Sequence, residues 1–381
     1  MSTWSAWAER EGAAIRDAGQ WREPRSFDGG GPTGTIGPAG APVVSFASND
    51  YLGLTQHPDV VAAAHTALDR WGAGSGSARL IVGARPIHDE LERALADWKG
   101  ADRAVLFPTG FAANLGVLTT LGAPDVLVCS DELNHASIID GCRLSRASTA
   151  VYRHGDVEHL DRLLARREQP RALVVSDTVF SMDGDIADLD GLAAVVARHR
   201  ALLVLDEAHA VLGPEYPASG FDGVDAVRVG TLSKTLGSLG GFVVASEALA
   251  ALIVNRARSY IFTTASTPAD TAAALAAVRV LTSSEGEALV ARLRAHVERV
   301  RAGHPSPIVP ILCGEERAAV DAANALLARG LLVPAIRPPT VAPGTARLRV
   351  ALSAAHTDAQ IDALIAALAD LAPLDVHATT R

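Results

Sequence analysis

With 381 residues, 49% of them apolar and 20% charged, the chain exceeds one ordinary domain and has apolar material for a large core and a smaller one. A net charge of −9, with no run of basic residues, argues against a nucleic-acid partner. The apolar runs are short and broken by charge, which argues against a membrane span. Cys129, Cys142 and Cys313 lie far apart without metal-ligand spacing, as expected of reduced thiols in a cytoplasmic protein with no metal site.

The N-terminal stretch has apolar and charged faces and predicts a helix ending near Glu23-Pro24. Its acidic residues and lack of an apolar segment are unlike a signal peptide. A Gly/Pro-rich passage from Gly29 to Pro42 leads to a short strand, VVSFASN, and a turn at Asp50-Tyr51-Leu52-Gly53. His57-Pro58-Asp59 opens a helix to about Trp71, GAGSGS is a loop, and Ile87 to Lys99 forms an amphipathic helix stopped by Gly100. Short runs rich in Val, Leu and Ile then recur at Ala104, Val126, Ala172, Ala201, Ala226 and Gly241, most of them separated by helical stretches.

Runs apolar on both faces, alternating with helices, predict an α/β fold with a mostly parallel central sheet flanked by helices. From about Glu285 the pattern becomes α+β: a long helix, the strand IVPILCG, a helix, the strands LLVPAIRP and ARLRVALS, and a last helix. The expected organisation is an N-terminal helix and linker over 1–45 belonging with the small domain, a large α/β domain over 46–284, and a smaller C-terminal domain over 285–381.

Lysine is nearly absent: only Lys99 and Lys234 occur. Lys99 ends a helix beside Gly100 and reads as a surface cation. Lys234 lies in GTLSKTLGSLGG, a Ser/Thr/Gly-rich turn after an apolar strand. A Schiff base needs a primary amine that can lose its proton, which arginine cannot supply, so Lys234 is the candidate nucleophile. Asp206-Glu207-Ala208-His209 follows the run LLVL at a strand's C-terminal end, where ligands bind in open α/β sheets. A carboxylate there suits a protonated pyridine nitrogen, and His209 suits a ring hydroxyl.

A helicase-type reading of Asp-Glu-Ala-His would need a G-x-x-x-x-G-K-[ST] loop, which the chain lacks. In FPTGFAANLGVL a strand runs into Thr109, Gly110 and Phe111 and a helix starts at once, an arrangement that favours a phosphate. His135, between a strand and a helix, suits stacking on a planar ring and proton transfer. Ser181 after the strand ALVVSD suits a ring hydroxyl or substrate, and Thr231 suits the phosphate.

The segments SFASNDYLGL, GSGSARLIVG, FPTGFAAN, NHASI, FSMDGDIADL, LDEAHAVLG and GTLSKTLGSLGG resemble, in this order, the α-oxoamine synthases. These are fold-type-I transferases dependent on pyridoxal 5'-phosphate (PLP) that join an amino acid to an acyl thioester with loss of carbon dioxide. The resemblance implies that Lys234 carries the cofactor and removes the substrate's α-proton. Asp206 then pairs with the pyridine nitrogen, His209 bonds the 3-hydroxyl and His135 stacks on the ring. Thr109, Gly110, Phe111 and Thr231 surround the phosphate, Ser181 completes the cofactor contacts, and Asn49 and His135 meet substrate.

It also implies a homodimer with sites at the subunit interface, where Thr264 reaches the neighbour's phosphate. The stretch AIRPPTVAPGTARLRVALSAAH resembles the branch that takes L-alanine and a pimeloyl thioester, on CoA or acyl-carrier protein, in biotin synthesis; another branch takes glycine and an acetyl group. Arg337 and Arg349 then face substrate carboxylates with Thr340 beside them, and Arg22 contacts the acyl substrate. A PLP-binding regulator without catalysis would carry a basic DNA-binding segment, which the N-terminus lacks. A nicotinamide dehydrogenase would need Gly where GAGSGS ends in Ser77.

Overall fold

The structure, a computed structural model, describes residues 2–371; Met1 and residues 372–381 of the expected C-terminal domain lie outside the described residues. Helix α1 (Thr3–Asp17) is capped by Ser2, whose hydroxyl accepts from the Ser5 N–H at 3.2 Å. It stops short of the expected end near Glu23-Pro24. Gly19, at φ +66°, reverses the chain, and the Gly19 and Gln20 N–H groups close onto Arg16 and Ile15 carbonyls. The Arg16 guanidinium lies 3.8 Å above the Trp21 ring centroid, which pins the turn.

The Gly/Pro passage is not featureless. Strands β1 (Phe27–Asp28), β2 (Thr33–Ile36) and β3 (Ala41–Ser45) form an antiparallel meander. The turn residues hid β1 and β2 in the sequence; the expected strand VVSFASN corresponds to β3, which ends at Ser45 before reaching Asn49. Helices α2 (Pro58–Trp71) and α3 (Pro86–Lys99) follow the expected bounds, and Gly100 terminates α3 in the left-handed region.

A seven-stranded sheet forms the centre. Its strands are β4 (Arg103–Phe107), β5 (Val126–Asp131), β6 (Ser148–Tyr152), β7 (Arg171–Asp177), β8 (Leu202–Asp206), β9 (Asp225–Thr231) and β10 (Gly241–Ala245), in the order β4-β10-β9-β8-β7-β5-β6. Only β10 runs antiparallel to its neighbours. Strand β6 escapes a search for apolar runs because it is the sheet's edge and four of its five residues are exposed or half-buried.

Alternate residues of the inner strands enter different cores. Leu173, Val175 and Val204 pack with helices α4 (Gly110–Leu121) and α5 (Ala136–Leu144), whereas Ala172, Val174, Leu203 and Leu205 pack beneath the opposite helix layer. Both faces are therefore covered, as parallel strands require.

Beyond this sheet, β11 (Ile308–Gly314), β13 (Ala335–Ile336) and β14 (Ala346–Ala351) form a three-stranded sheet in the order β11-β14-β13. The expected single strand LLVPAIRP is broken in two. Its first part, β12 (Leu331–Leu332), pairs in parallel with β3, while β13 pairs with β14. Pro334, lacking an N–H, interrupts the ladder between them. The N-terminal meander is thus hydrogen-bonded to the C-terminal part of the chain. Among the described residues, no helix is long and apolar enough to cross a membrane.

Candidate active site

The site is built at the C-terminal edge of the parallel strands. Asp206 is the last residue of β8 and is buried, one oxygen accepting from the Ala208 N–H at 2.9 Å and the other from Asn114 Nδ2 at 2.6 Å. His209 follows in the next turn, fully enclosed. Its Nε2 lies 2.7 Å from Lys234 Nζ and its Nδ1 lies 2.7 Å from the Tyr51 hydroxyl.

Burial, Lys234 and Arg349 push the His209 pKa well below the usual histidine range, so the ring is neutral. With Lys234 donating to Nε2, the proton of His209 sits on Nδ1 and is donated to Tyr51. The Tyr51 hydroxyl donates in turn to Asn49 Oδ1 at 3.1 Å, which also accepts from Arg349 Nη2 at 3.1 Å. Arg349 reaches across from β14 and donates from Nε to the Ser181 carbonyl at 2.5 Å.

Lys234 stands in the loop between β9 and β10. Burial lowers its pKa to about 8, against the opposing pull of Asp206 and Asp177. Two features shape this loop. The Thr231 hydroxyl donates to the Gly240 carbonyl at 3.0 Å, closing its base. Gly237, at φ +58°, packs so close to the 54–55 backbone that a Cβ there would meet Thr55 N at 2.5 Å.

Thr109 caps α4, its hydroxyl accepting from the Ala112 N–H at 3.0 Å. Gly110 lies against Thr231, whose side chain a Cβ at 110 would meet at 3.3 Å. The free N–H groups of this helix start therefore lie close to the Thr231 side chain, and such a helix start is suited to an anion. Phe111 and His135 flank it with ring centroids 6.5 Å apart.

The structure thus gathers Thr109, Gly110, Phe111, His135, Asp206, His209, Thr231 and Lys234 around one space, with Asn49, Ser181 and Arg349 along its side. The residues fit PLP. A helix start can hold the phosphate, a buried carboxylate can face the ring nitrogen, and an amine of lowered pKa stands beside a neutral imidazole. Four expected residues lie apart from this group. Arg22 and Arg337 meet each other's chain segment, Arg22 Nη2 donating to the Pro338 carbonyl at 3.2 Å and Arg337 Nη2 to the Trp21 carbonyl at 3.1 Å. Thr264 is exposed beside Arg79, Pro108 and Tyr260. Thr340 lines a cleft shared with Phe180, Ser181 and Met182, adjoining the site through Ser181.

Several residues of the site carry no strong sequence signal. Tyr51 reads as a turn residue, yet it is fully buried against His209. Asn114, Ser137 and Asp177 are also buried here. Burial, reinforced by the neighbouring charge of Asp206, raises the Asp177 pKa well above the carboxylate range. A chain of apolar strands ending in Asp at both β7 and β8 is the one available hint.

Lys99 is not the surface cation expected of a helix end. It is 4% exposed and pairs with Glu207 at 3.0 Å and Glu215 at 2.8 Å. Burial pulls its pKa down, but the two carboxylates outweigh that and leave it raised. The chain's other amine is therefore held as an ammonium ion and is no competing nucleophile. Lys99→Met is expected to cost about 3–5 kcal/mol of stability by leaving two carboxylates around an apolar side chain. Urea unfolding measures this, and a loss below about 1 kcal/mol would show that the pair is screened as a surface bridge would be.

The fold and this site define a fold-type-I PLP-dependent transferase. The chain belongs to the aminotransferase class I and II family, whose model matches residues 41–368, and within it to the α-oxoamine synthases. A protein of Anaeromyxobacter dehalogenans (strain 2CP-1) named 8-amino-7-oxononanoate synthase is 50% identical over 360 residues, 89% of this chain and 90% of that protein. One of the same name from Methylobacterium sp. (strain 4-46) is 47% identical over 339 residues, 87% of this chain and 88% of that protein. A serine palmitoyltransferase from S. paucimobilis, solved with bound PLP–myriocin, is 33% identical and superposes with a TM-score of 0.89, covering 97% of this chain and 98% of that one.

Proposed function

We propose that this protein condenses L-alanine with a pimeloyl thioester, on CoA or acyl-carrier protein, to give 8-amino-7-oxononanoate, carbon dioxide and the free carrier, a step of biotin synthesis. The observation that supports this most is Lys234, a half-buried amine of lowered pKa, set against His209 and the charge of Asp206 at the edge of the sheet. When bound, the PLP ring draws off the electron pair left on the substrate's α-carbon.

The chain's own groups hold and move protons around that carbon. Lys234 Nζ would hold the cofactor covalently and would take the α-proton of alanine; its lowered pKa supplies neutral amine near neutral pH. Asp206 keeps a positive charge on the ring nitrogen favourable, and His209 holds the ring's 3-oxygen. His135 covers one ring face. Thr109, Gly110, Phe111 and Thr231 hold the phosphate, and Ser181 borders the ring's oxygen side. Asn49 and Arg349 stand where the amino acid's carboxylate lies, since Arg349 offers a fork of donors there.

Arg22 and Arg337, joined through the Pro338 and Trp21 carbonyls, frame the entry for the acyl chain and its far carboxylate, with Thr340 at its side. The protein works as a homodimer in the cytoplasm. Leu80, Ile81, Val82 and Phe262 are between 51% and 74% exposed and lie near Thr264, an apolar patch that a second copy would cover. Thr264 of that copy would then approach the phosphate.

Assaying alanine and glycine, each with pimeloyl-CoA and acetyl-CoA, tests the proposal. Alanine with pimeloyl-CoA is expected to be fastest, and faster turnover of glycine with acetyl-CoA would overturn the substrate assignment. Arg22→Ala is expected to lower kcat/KM for the pimeloyl substrate roughly 10–100-fold, the share of one charge-assisted contact. Exchange of alanine's α-proton should stay near wild type in that variant. An equal loss in exchange would place Arg22 on the amino acid instead.

A further inference from the structure

Asn114 is an amide in the middle of α4, 2% exposed among Ala113, Val117 and Leu118, and no role assigned above uses it. Its Nδ2 lies 2.6 Å from Asp206 Oδ2 and 2.9 Å from Ser137 Oγ. The amide orientation is set by Asp206, because the reverse would press an amide oxygen against a carboxylate oxygen. An amide nitrogen has two hydrogens, so both contacts are donations and the group is saturated. Ser137 Oγ accepts from Asn114 and keeps its own proton for His135 Nδ1, 2.7 Å away.

The Ser137 backbone N–H also points at that nitrogen, at 3.2 Å, and a backbone donor cannot reverse its role. His135 Nδ1 is therefore an acceptor, and the ring's proton is on Nε2. The His135 backbone is held in turn by its N–H, which donates to Asp177 Oδ2 at 2.7 Å. One side chain thus reaches the carboxylate at the end of β8 and, through one hydroxyl, the imidazole at the cap of α5.

We propose that Asn114 is a positioning residue that couples Asp206 to His135: its amide fixes the rotation of the Asp206 carboxylate and, through Ser137, keeps the His135 proton on Nε2. This rests on the reading that Asp206 faces the cofactor's ring nitrogen and His135 its face. The coupling has a physical purpose. A buried carboxylate needs a hydrogen-bond donor on each oxygen, and a donor without a titratable proton keeps that role whatever the pH. An amide is such a donor at any pH.

The test compares PLP-loaded wild type with Asn114→Ala and Asn114→Asp, following cofactor release, the absorption of the bound cofactor against pH, and alanine α-proton exchange. Asn114→Asp keeps the shape. When protonated it still donates to Asp206; when ionised it repels it. Asp206 touches that position directly and His135 is tied to it through Ser137; Asp177, Lys234, His209 and Arg349 act on these groups from further off. Set directly against the Asp206 carboxylate, the new acid has its pKa raised, so its donor is lost as pH rises.

Asn114→Asp is expected to release PLP within about threefold of the wild-type rate at pH 6 and at least about tenfold faster at pH 8.5. Asn114→Ala is expected to release it about 10–100-fold faster at both, the loss of one hydrogen bond to a charged group. Wild type changes little over this range. If both variants hold and titrate PLP as wild type does, or if both lose it equally at every pH, the residue only fills space and the proposal fails.

A measurement on wild type stands apart from how the variants fold. In 15N NMR, with His135 assigned by difference against His135→Gln, Nδ1 is expected to be unprotonated; a protonated Nδ1 overturns the coupling. Cofactor-free protein serves for this, so a wild type that took no PLP on Lys234 would sink the active-site reading and still leave the Asn114 link to be judged.

Discussion

Replacing Lys234 with alanine is expected to abolish covalent attachment of PLP and to lower turnover by roughly 10⁴-fold or more, the upper range for removal of one catalytic base. Borohydride treatment of the wild-type holoenzyme, followed by peptide mapping, is expected to place the label on Lys234 alone. Label on Lys99 would contradict the assignment, and the structure gives a reason against it, because Lys99 is held as an ammonium ion by Glu207 and Glu215. The pH dependence of loading adds a separate check.

Burial lowers the Lys234 pKa to about 8, so about a tenth of the amine is neutral at pH 7. An ordinary lysine would offer less than roughly a thousandth. Capture of PLP by the cofactor-free protein should therefore accelerate about tenfold between pH 7 and pH 9 and then level off. A rate still climbing steeply at pH 10 would mean that the amine titrates as an ordinary lysine.

Asp206→Asn is expected to retain PLP and the fold while slowing alanine α-proton exchange at least roughly 100-fold, an electrostatic loss of about 3 kcal/mol. The substitution is nearly isosteric, so it removes the charge while keeping the shape. It also meets the local hydrogen bonding badly. Both Asp206 oxygens accept, one from Ala208 N–H and one from Asn114, so a new NH₂ must face one of those donors. Proton exchange near the wild-type rate would show that Asp206 does not face the ring nitrogen.

The sequence-based picture of the central sheet is accurate where burial is two-sided. Strands β5, β7, β8, β9 and β10 are covered by helices on both faces, so consecutive apolar residues fill most of each and the runs stand out. Edge strand β6 and the short β1 and β2 do not stand out, because an exposed strand face needs no apolar residue. The break between β12 and β13 is a tertiary matter, although Pro334 marks it.

The chemistry divides along a similar line. Lys234, Asp206 and His209 were legible because an amine in a chain nearly free of lysine, and a carboxylate ending an apolar strand, are costly choices unless chemistry requires them. Lys99 was misjudged for a related reason: position at a helix end says nothing of what folds over it, and the two glutamates that neutralise it lie more than a hundred residues downstream.

The amino-acid sequence by itself determined the α/β plan, the order of the candidate cofactor residues along the chain and the family resemblance. All of these follow from local pattern, the apolar period and the chemistry of single side chains. Only the tertiary structure decided which polar side chains meet in the dry interior: Tyr51 on His209, Asn114 between Asp206 and Ser137, and Asp177 on the His135 N–H. Such pairings are set by which strand ends and helix starts are brought within about 3 Å of one another. A buried polar group must find a partner there, but its own sequence neighbours do not say which.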